Sequence, residues 1–458
     1  MKAFRHSCGG FSNRTVVTRA PRRTCPHVRF IARATTGQKA ASSERSKFTP
    51  MIRESLLGPG VWQQTLWKSF TLGGVGLHSG EVAYVRVMPA HAGEGRYFVR
   101  VPPGTNSHLY LRDDEMIEEQ VYPPPEKIMD EQAEDERVEI FLEYLKHCED
   151  EGFTGSFTEY AEMVGREDEV PFSDKGAEEV KTRSEDEGYL IAHIDNTSEM
   201  EHRHCTTLGE GESQVMSVEH LLSALEACGV DNARLEIEGG VEVPTIDGSA
   251  YGWCQEIYSA GIASATCFIQ GKEVKVRRAA LKLTEPFSIH DGERSITLVP
   301  AECMKVSYGV DSMTPVIGKQ WHTWCLQDGR DAFPSTVASA KSFVPSLEDY
   351  YCMREEGFVK GATEGVMLVG NEEDWYQEDL IQFENEPARH KIVDLVGDLS
   401  LLSLGGMSGL PYGHIIAYNA DHEMHLEFVK ALKEKAGEHY YEGYRSDPYA
   451  PTKETNNE

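Results

Sequence analysis

Two short stretches carry residue types suited to metal-assisted hydrolysis. In Ser217-Val218-Glu219-His220 a carboxylate and an imidazole are neighbours at the start of an amphipathic segment, and on a helix they point about 100° apart. In His390-Lys391-Ile392-Val393-Asp394 the His and the Asp are four positions apart, which on a helix puts them on one face where both can grip one ion. His220 together with His390 and Asp394 offers three N/O ligands and leaves a fourth tetrahedral position open, the layout of a catalytic rather than a structural zinc site. Each stretch alone is weak evidence. A Glu-His pair on a helix is more often a surface or a satisfied core pair, and a His-x3-Asp spacing is a solvated helix face roughly six times in seven.

Elements that hold such residues in place are legible around them. Alternation of apolar and polar residues in Val82, Tyr84, Val85, Val87 and again in Tyr97, Val99, Val101 predicts strands, with Gly73-Gly74 and Gly76 punctuating the first hairpin. Order resumes at Tyr189-Leu190-Ile191-Ala192. A helix is predicted over Val218–Cys228, with Val218, Leu221, Leu222 and Leu225 on one face and Gly229 as its stop. A strand at Ala233–Ile237, a Pro244–Gly248 turn and a helix at Tyr251–Ser259 follow. The second half repeats the theme. Strand signals lie at Ala280–Leu283 and Ser295–Val299, with an apolar segment at Gly365–Val369. A helix is predicted from about Glu386 to Leu404, a strand at His414–Tyr418, and a helix from about His422 to Glu434 in which His422 and His425 face solvent. Two α+β halves, each a sheet covered by helices, is the simplest architecture.

The chain has 458 residues, 40% hydrophobic and 26% charged, an ordinary globular composition long enough for more than one core. No apolar run reaches the roughly 18 residues a bilayer span needs, so no transmembrane segment is expected. The formal net charge of −30 hides an asymmetry, since residues 1–50 hold 11 Lys/Arg against the single acid Glu44, leaving −40 for the rest. A surface so acidic repels phosphate backbones and excludes nucleic acid as a general partner. The basic, Ser/Thr-rich residues 1–50 lack a continuous apolar core and are expected to be an organellar transit peptide, mitochondrial or plastid, with a disordered basic tail as the alternative. Residues 112–188 carry 27 Asp/Glu against 8 Lys/Arg, opened by Pro123-Pro124-Pro125, and predict an acidic insertion that is partly helical at best around Val138–Leu145. Ten cysteines without a CxxC pair fit a reduced compartment rather than a disulfide scaffold.

Several blocks resemble one family, in order along the chain. Gly73-Gly74-Val75-Gly76-Leu77-His78-Ser79-Gly80 resembles the opening of the bacterial UDP-3-O-acyl-N-acetylglucosamine deacetylases, zinc enzymes of lipid A biosynthesis. The likeness continues through Cys205-Thr206-Thr207-Leu208, Ser217–Ala224, Val230–Ala233, Val243–Ala250, Phe383–Glu386 and Arg389–Leu399, and ends at Gly413-His414. It spans residues 63–435 with the acidic insertion as an interruption.

The resemblance implies a role for each matched position. His220, His390 and Asp394 would hold one Zn²⁺ per chain, and Glu219 would be the general base that takes a proton from the attacking water. Ser342, in Ser339-Ala340-Lys341-Ser342-Phe343, would donate to the oxyanion where the family has Thr. His414 would protonate the leaving amine, held by Asp398, and Lys391 would contact substrate or oxyanion. Cys205, Phe343, Lys391 and His78 would line the substrate site, whereas His202 and His204 are expected not to ligate metal.

The expected fold is α+β, with two similar domains packed as a β-α-α-β sandwich and the active site between them. Domain I would cover 63–265 with the insertion 112–188, domain II 266–440, and residues 441–458 would be a polar tail. The expected activity is hydrolysis of the N-acetyl group of UDP-3-O-(3-hydroxyacyl)-N-acetylglucosamine by a monomer, with an acyl passage built after Phe343. Two other readings compete: an inert sugar-nucleotide or acyl-chain binding protein of the same fold, and an amidohydrolase acting on a related acetamide. A binding module has no need of a base and an acid together.

Overall fold

The computed structural model describes residues 62–110, 163–164, 188–198 and 204–446, apart from 270–271, 302, 327–331, 364 and 372–373. The expected transit peptide, most of the acidic insertion with its Val138–Leu145 helix, His202 and the end of the polar tail lie outside these residues.

The first sheet contains Phe70–Val75 (β1), Val82–Pro89 (β2), Arg96–Arg100 (β3), Tyr189–Ile191 (β4) and Ala233–Gly239 (β5), in the order β1-β2-β5-β3-β4. After it come Phe287–Asp291 (β6), Arg294–Val299 (β7), Met304–Asp311 (β8), Lys319–Cys325 (β9), Ser342–Val344 (β10), Met367–Asn371 (β11) and Gly413–Tyr418 (β12). The second five-stranded sheet runs β6-β7-β12-β8-β9. Both sheets are antiparallel except for one parallel pair, β3 with β5 in the first and β8 with β12 in the second. The two halves therefore repeat one topology, strand for strand.

The helices repeat as well. Glu219–Cys228 (α1) precedes β5 and Tyr251–Ala260 (α2) follows it. A third helix, Leu347–Glu355 (α3), joins the parallel strands β10 and β11 into a βαβ unit. In the second half Glu386–Leu399 (α4) precedes β12 and His422–Ser446 (α5) follows it. One hydrophobic cluster joins Ala83, Val85 and Val87 of β2, Leu221, Leu222 and Leu225 of α1, Val393 and Val396 of α4, and Ile415 and Ala417 of β12. The helices thus lie between the two sheets, in the layering expected for this α+β fold. The period-2 pattern decides which strand residues join them, because successive strand side chains point to opposite faces.

Three boundaries differ from the sequence reading. Ala280–Leu283 forms no regular strand, and only Lys282 bridges Tyr412. Helix α4 ends at Leu399, and a short 3-10 turn, Ser400–Leu402, follows. Helix α5 runs on to Ser446, into the segment read as a polar tail. The sequence signal for its end was charge, and a helix with a polar exterior carries charge as readily as a coil does. The stop at Gly229 is as expected, a left-handed residue at φ 78° that closes α1.

Candidate metal and catalytic site

Helices α1 and α4 occupy equivalent places in the two halves, and their contact builds the site. Gly397 makes that contact close: a Cβ there would run into the backbone carbonyl of Glu219. The start of α1 is aimed by a tight turn in which Ser217, a non-glycine residue, holds φ at 55°. Its hydroxyl donates to Glu242 at 2.7 Å, and the same carboxylate accepts from the backbone N–H of His78 at 2.9 Å and of Ser79 at 2.6 Å. One buried carboxylate thus ties the Gly-Leu-His-Ser loop to the residue that orients Glu219 and His220.

His220, His390 and Asp394 converge, with ligand atoms all within 4.8 Å of one another. Asp394 Oδ1 lies 3.6 Å from His220 Nε2 and 3.4 Å from His390 Nε2. The Nδ1 of His390 meets the carbonyl of Ala340 at 3.0 Å, so Nδ1 carries the hydrogen and Nε2 is left bare toward the cluster. Burial pulls the pKa of His390 down to about 4 and keeps the ring in its neutral, ligating form. Burial works against ionisation of Asp394, but Lys391, His390 and His422 outweigh it and hold the carboxyl well below its usual range. The bare Nε2 of His390, the His220 imidazole and one carboxylate fit a zinc ion by donor type.

Glu219 sits beside this group, 5% exposed, with its Oε2 accepting from Thr206 N at 3.0 Å. Burial raises its pKa to about 7, where a carboxylate can still accept a proton. Lys391 donates to Asp394 Oδ2 at 2.9 Å.

The histidine that Asp398 holds is His422. Its Nδ1 lies 2.9 Å from Asp398 Oδ2, and its Nε2 lies 3.5 Å from Asp394 Oδ2, facing the metal-type cluster. Although burial opposes the charge, Asp398, Asp394 and Glu219 push the His422 pKa up to about 9. His414 is elsewhere. On β12 the residues Gly413, Ile415 and Ala417 are buried in the core face, so His414 points to the other face, where its Nε2 meets Ser307 Oγ at 2.8 Å. Its pKa is lowered by burial and by Lys305. The pairing of Asp398 with His414 is therefore corrected to Asp398 with His422, and His422 and His425, read as solvent-facing, are 4% and 0% exposed.

The remaining expected site residues fall around the cluster. Phe343 sets its ring edge-on to His390, with centroids 6.2 Å apart. Ser342, on the next position of the strand, donates its hydroxyl to Gly248 O at 3.2 Å. Cys205 is fully buried near Glu219 and Glu242, and burial raises its thiol pKa. His78 is buried under Phe358, with ring centroids 5.5 Å apart, and its pKa is pulled down to about 4 by burial. His204 stands outside the metal-type cluster, with its Nε2 3.8 Å from Glu356. Sequence reasoning missed Thr206, Glu242, Gly397 and the role of His422. Thr206 lay within a matched block and Gly397 interrupts a helical apolar run, whereas nothing in the chain order pointed to Glu242.

The family described as UDP-3-O-acyl N-acetylglycosamine deacetylase matches residues 63–120 and 173–434. The chain belongs to this family. Its members are deacetylases, enzymes that hydrolyse an amide. A UDP-3-O-acyl-N-acetylglucosamine deacetylase of Trichormus variabilis is 31% identical over 371 residues, covering 81% of this chain and 98% of that protein. A protein of Arabidopsis thaliana named "Probable UDP-3-O-acyl-N-acetylglucosamine deacetylase 1, mitochondrial" is 37% identical over 235 residues, covering 50% of this chain and 71% of that one. The family match breaks off between 120 and 173, inside the acidic stretch. Among the described residues no helix is long and apolar enough to cross a membrane.

Proposed function

We propose that this chain is a zinc-dependent N-deacetylase of UDP-3-O-acyl-N-acetylglucosamine, acting at the step that commits the sugar nucleotide to lipid A, with an organellar address that the mitochondrial Arabidopsis relatives favour. The observation that carries the reading is the convergence of a three-ligand set, a buried carboxylate of raised pKa and a carboxylate-held imidazole at one helix crossing. His220, His390 and Asp394 would hold the zinc, which when bound supplies Lewis acidity toward water and the acetamide carbonyl.

The protein's own groups divide the rest of the work. Glu219 takes the proton of the attacking water. His422, charged and oriented by Asp398, gives a proton from Nε2 to the departing amine, the role that the resemblance implies for His414. Lys391 offers its ammonium to negative charge that develops on the carbonyl oxygen, and Ser342 joins it only by turning its hydroxyl away from Gly248. Phe343, His78 and Cys205 line the substrate side, and the βαβ unit β10-α3-β11, with Val344, Tyr350, Met353 and Met367 in its apolar cluster, supplies the surface for an acyl chain.

The test is an assay of the purified protein on UDP-3-O-(3-hydroxyacyl)-N-acetylglucosamine with and without a chelator, beside elemental analysis of His390→Ala. A UDP-3-O-acyl-glucosamine product that a chelator abolishes, and loss of stoichiometric zinc in the variant, are expected. Chelator-resistant turnover, or tight zinc in His390→Ala, refutes the reading.

A further inference from the structure

Behind Asp398 lies a second buried histidine that the reaction as described does not use. Asp398 is fully buried and accepts three bonds: from Thr206 Oγ1 at 2.5 Å on Oδ1, and from His422 Nδ1 at 2.9 Å and His425 Nδ1 at 2.8 Å on Oδ2. His422 and His425 are three residues apart on α5 and so share a face, which lets both rings reach one oxygen. The far nitrogen of His425, Nε2, lies 2.9 Å from Tyr308 Oη, whose single hydrogen it shares with Ala420 O at 2.7 Å. Tyr308, His425 and Asp398 are all fully buried.

These contacts leave the carboxylate little freedom. A buried carboxylate with a single donor on each oxygen can rock about its Cβ–Cγ bond, and a long lever turns that motion into displacement of whatever it holds. Here Thr206 fixes one oxygen, His425 fixes the other, and Tyr308 fixes His425 against strand β8 and against the loop that leads into α5. The direction of the Asp398 lone pairs then dictates how the His422 ring is turned, and with it where His422 Nε2 stands relative to Asp394. Connected buried networks of this kind orient their members more strictly than pairwise bonds do.

We propose that His425, backed by Tyr308, is a positioning residue for deacetylation: its Nδ1–H holds Asp398 in the orientation that presents the His422 imidazole to the reacting centre. The proposal rests on the reading of His422 as proton donor. His425 itself touches neither the ligand set nor substrate, so its effect belongs on kcat and not on substrate binding or metal content.

The deciding comparison is His425→Asn against His425→Leu. The two replacements have similar volume, but only Asn keeps an N–H able to reach Asp398 in place of Nδ1. His425→Leu is expected to lower kcat about tenfold or more with KM and zinc content unchanged, His425→Asn to recover most of it, and Tyr308→Phe, which removes one hydroxyl, to fall between. If Leu and Asn variants match each other, or if KM or zinc moves with kcat, His425 only fills the core and the proposal fails. Should His425→Leu not accumulate as folded protein, Tyr308→Phe decides alone, and wild-type kcat in it overturns the proposal. His422→Ala separates the two layers. Near-normal kcat there removes His422 as the donor, whereas a crippled His422→Ala beside a normal His425→Leu leaves the donor and removes the positioning role.

Discussion

Two histidines eight residues apart, His414 and His422, differ in what each faces, and the roles proposed for them differ accordingly. His414 looks out of the second sheet toward Ser307, and His422 looks into the site between Asp394 and Asp398. We expect His422→Ala to lose on the order of 10² to 10⁴ in kcat, the range for a positioned acid or base, while His414→Ala stays within about threefold of wild type. Steady-state kinetics of the two variants side by side checks it, and a crippled His414→Ala would return the donor to β12. For Glu219 the expectation is loss of a similar size in Glu219→Ala with zinc retained, because the side chain stands beside the ligand set without belonging to it. Elemental analysis with kinetics on one preparation tests both halves of that statement.

At the level of elements, the site exists because α1 and α4 approach closely and stay in register. Gly397 permits the approach. On helix propensity alone Gly397→Ala would gain up to about 1 kcal/mol, but its Cβ meets the Glu219 backbone, so the prediction is the reverse: a lower melting temperature and reduced turnover. A more stable, fully active Gly397→Ala would mean the helices can part without harm.

The register is held at the other end of α1 by Glu226. It pairs with Arg96 Nη2 at 2.6 Å and accepts from Ser408 Oγ at 2.6 Å and from the backbone of Gly409 and Leu410 at 3.2 and 3.3 Å. Burial opposes its ionisation, yet Arg96 and Arg278 bring the pKa from 4.5 down to about 2. A carboxyl whose folded pKa lies below its unfolded value takes up a proton on unfolding. Its stabilisation is therefore complete above pH 4.5 and is lost as the pH falls toward about 2. Glu226→Ala, which leaves the buried Arg96 guanidinium without a carboxylate while Arg278 keeps Asp231, should cost about 3–5 kcal/mol near neutrality. The gap from wild type in denaturant melts should narrow between pH 4.5 and 2; a gap that is constant with pH would assign the loss to packing instead.

For the molecule as a whole, the acidic stretch interrupts the family without interrupting the sheet. Strands β3 and β4, which flank it, pair directly, Val99 opposite Tyr189 and Tyr97 opposite Ile191. The family match omits residues 121–172. Loop-closure entropy grows only slowly with loop length, so replacing 121–172 by a short Gly/Ser linker should change stability by no more than about 1 kcal/mol. With less negative charge on a protein whose proposed substrate carries a diphosphate, KM should stay level or fall at low salt while kcat holds. Failure of the deletion to fold, or loss of turnover with zinc still bound, would make the stretch part of the catalytic unit.

The two pieces of the zinc-type set were legible as local patterns, and the family resemblance joined His220 to His390 and Asp394 across the chain. The i,i+4 spacing of His390 and Asp394 and the adjacency of Glu219 and His220 are fixed by a helix alone, and the strand faces of β2 and β12 follow from alternation. The two-layer α+β character was legible for the same reason. What local pattern cannot carry is the identity of a partner far away in sequence. Whether Asp398 meets His414 or His422 depends on which face of β12 turns inward and on how the Asn419–Asp421 turn starts α5, and both are set by packing of the second sheet on α4. The same holds for Glu242 under the loop of His78, for Gly397 against Glu219, and for Tyr308 behind His425. A histidine at a helix start reads as solvated until another element covers it. Here α4 and Thr206 cover it, and burial beside carboxylates turns an ordinary side chain into a charged, oriented one.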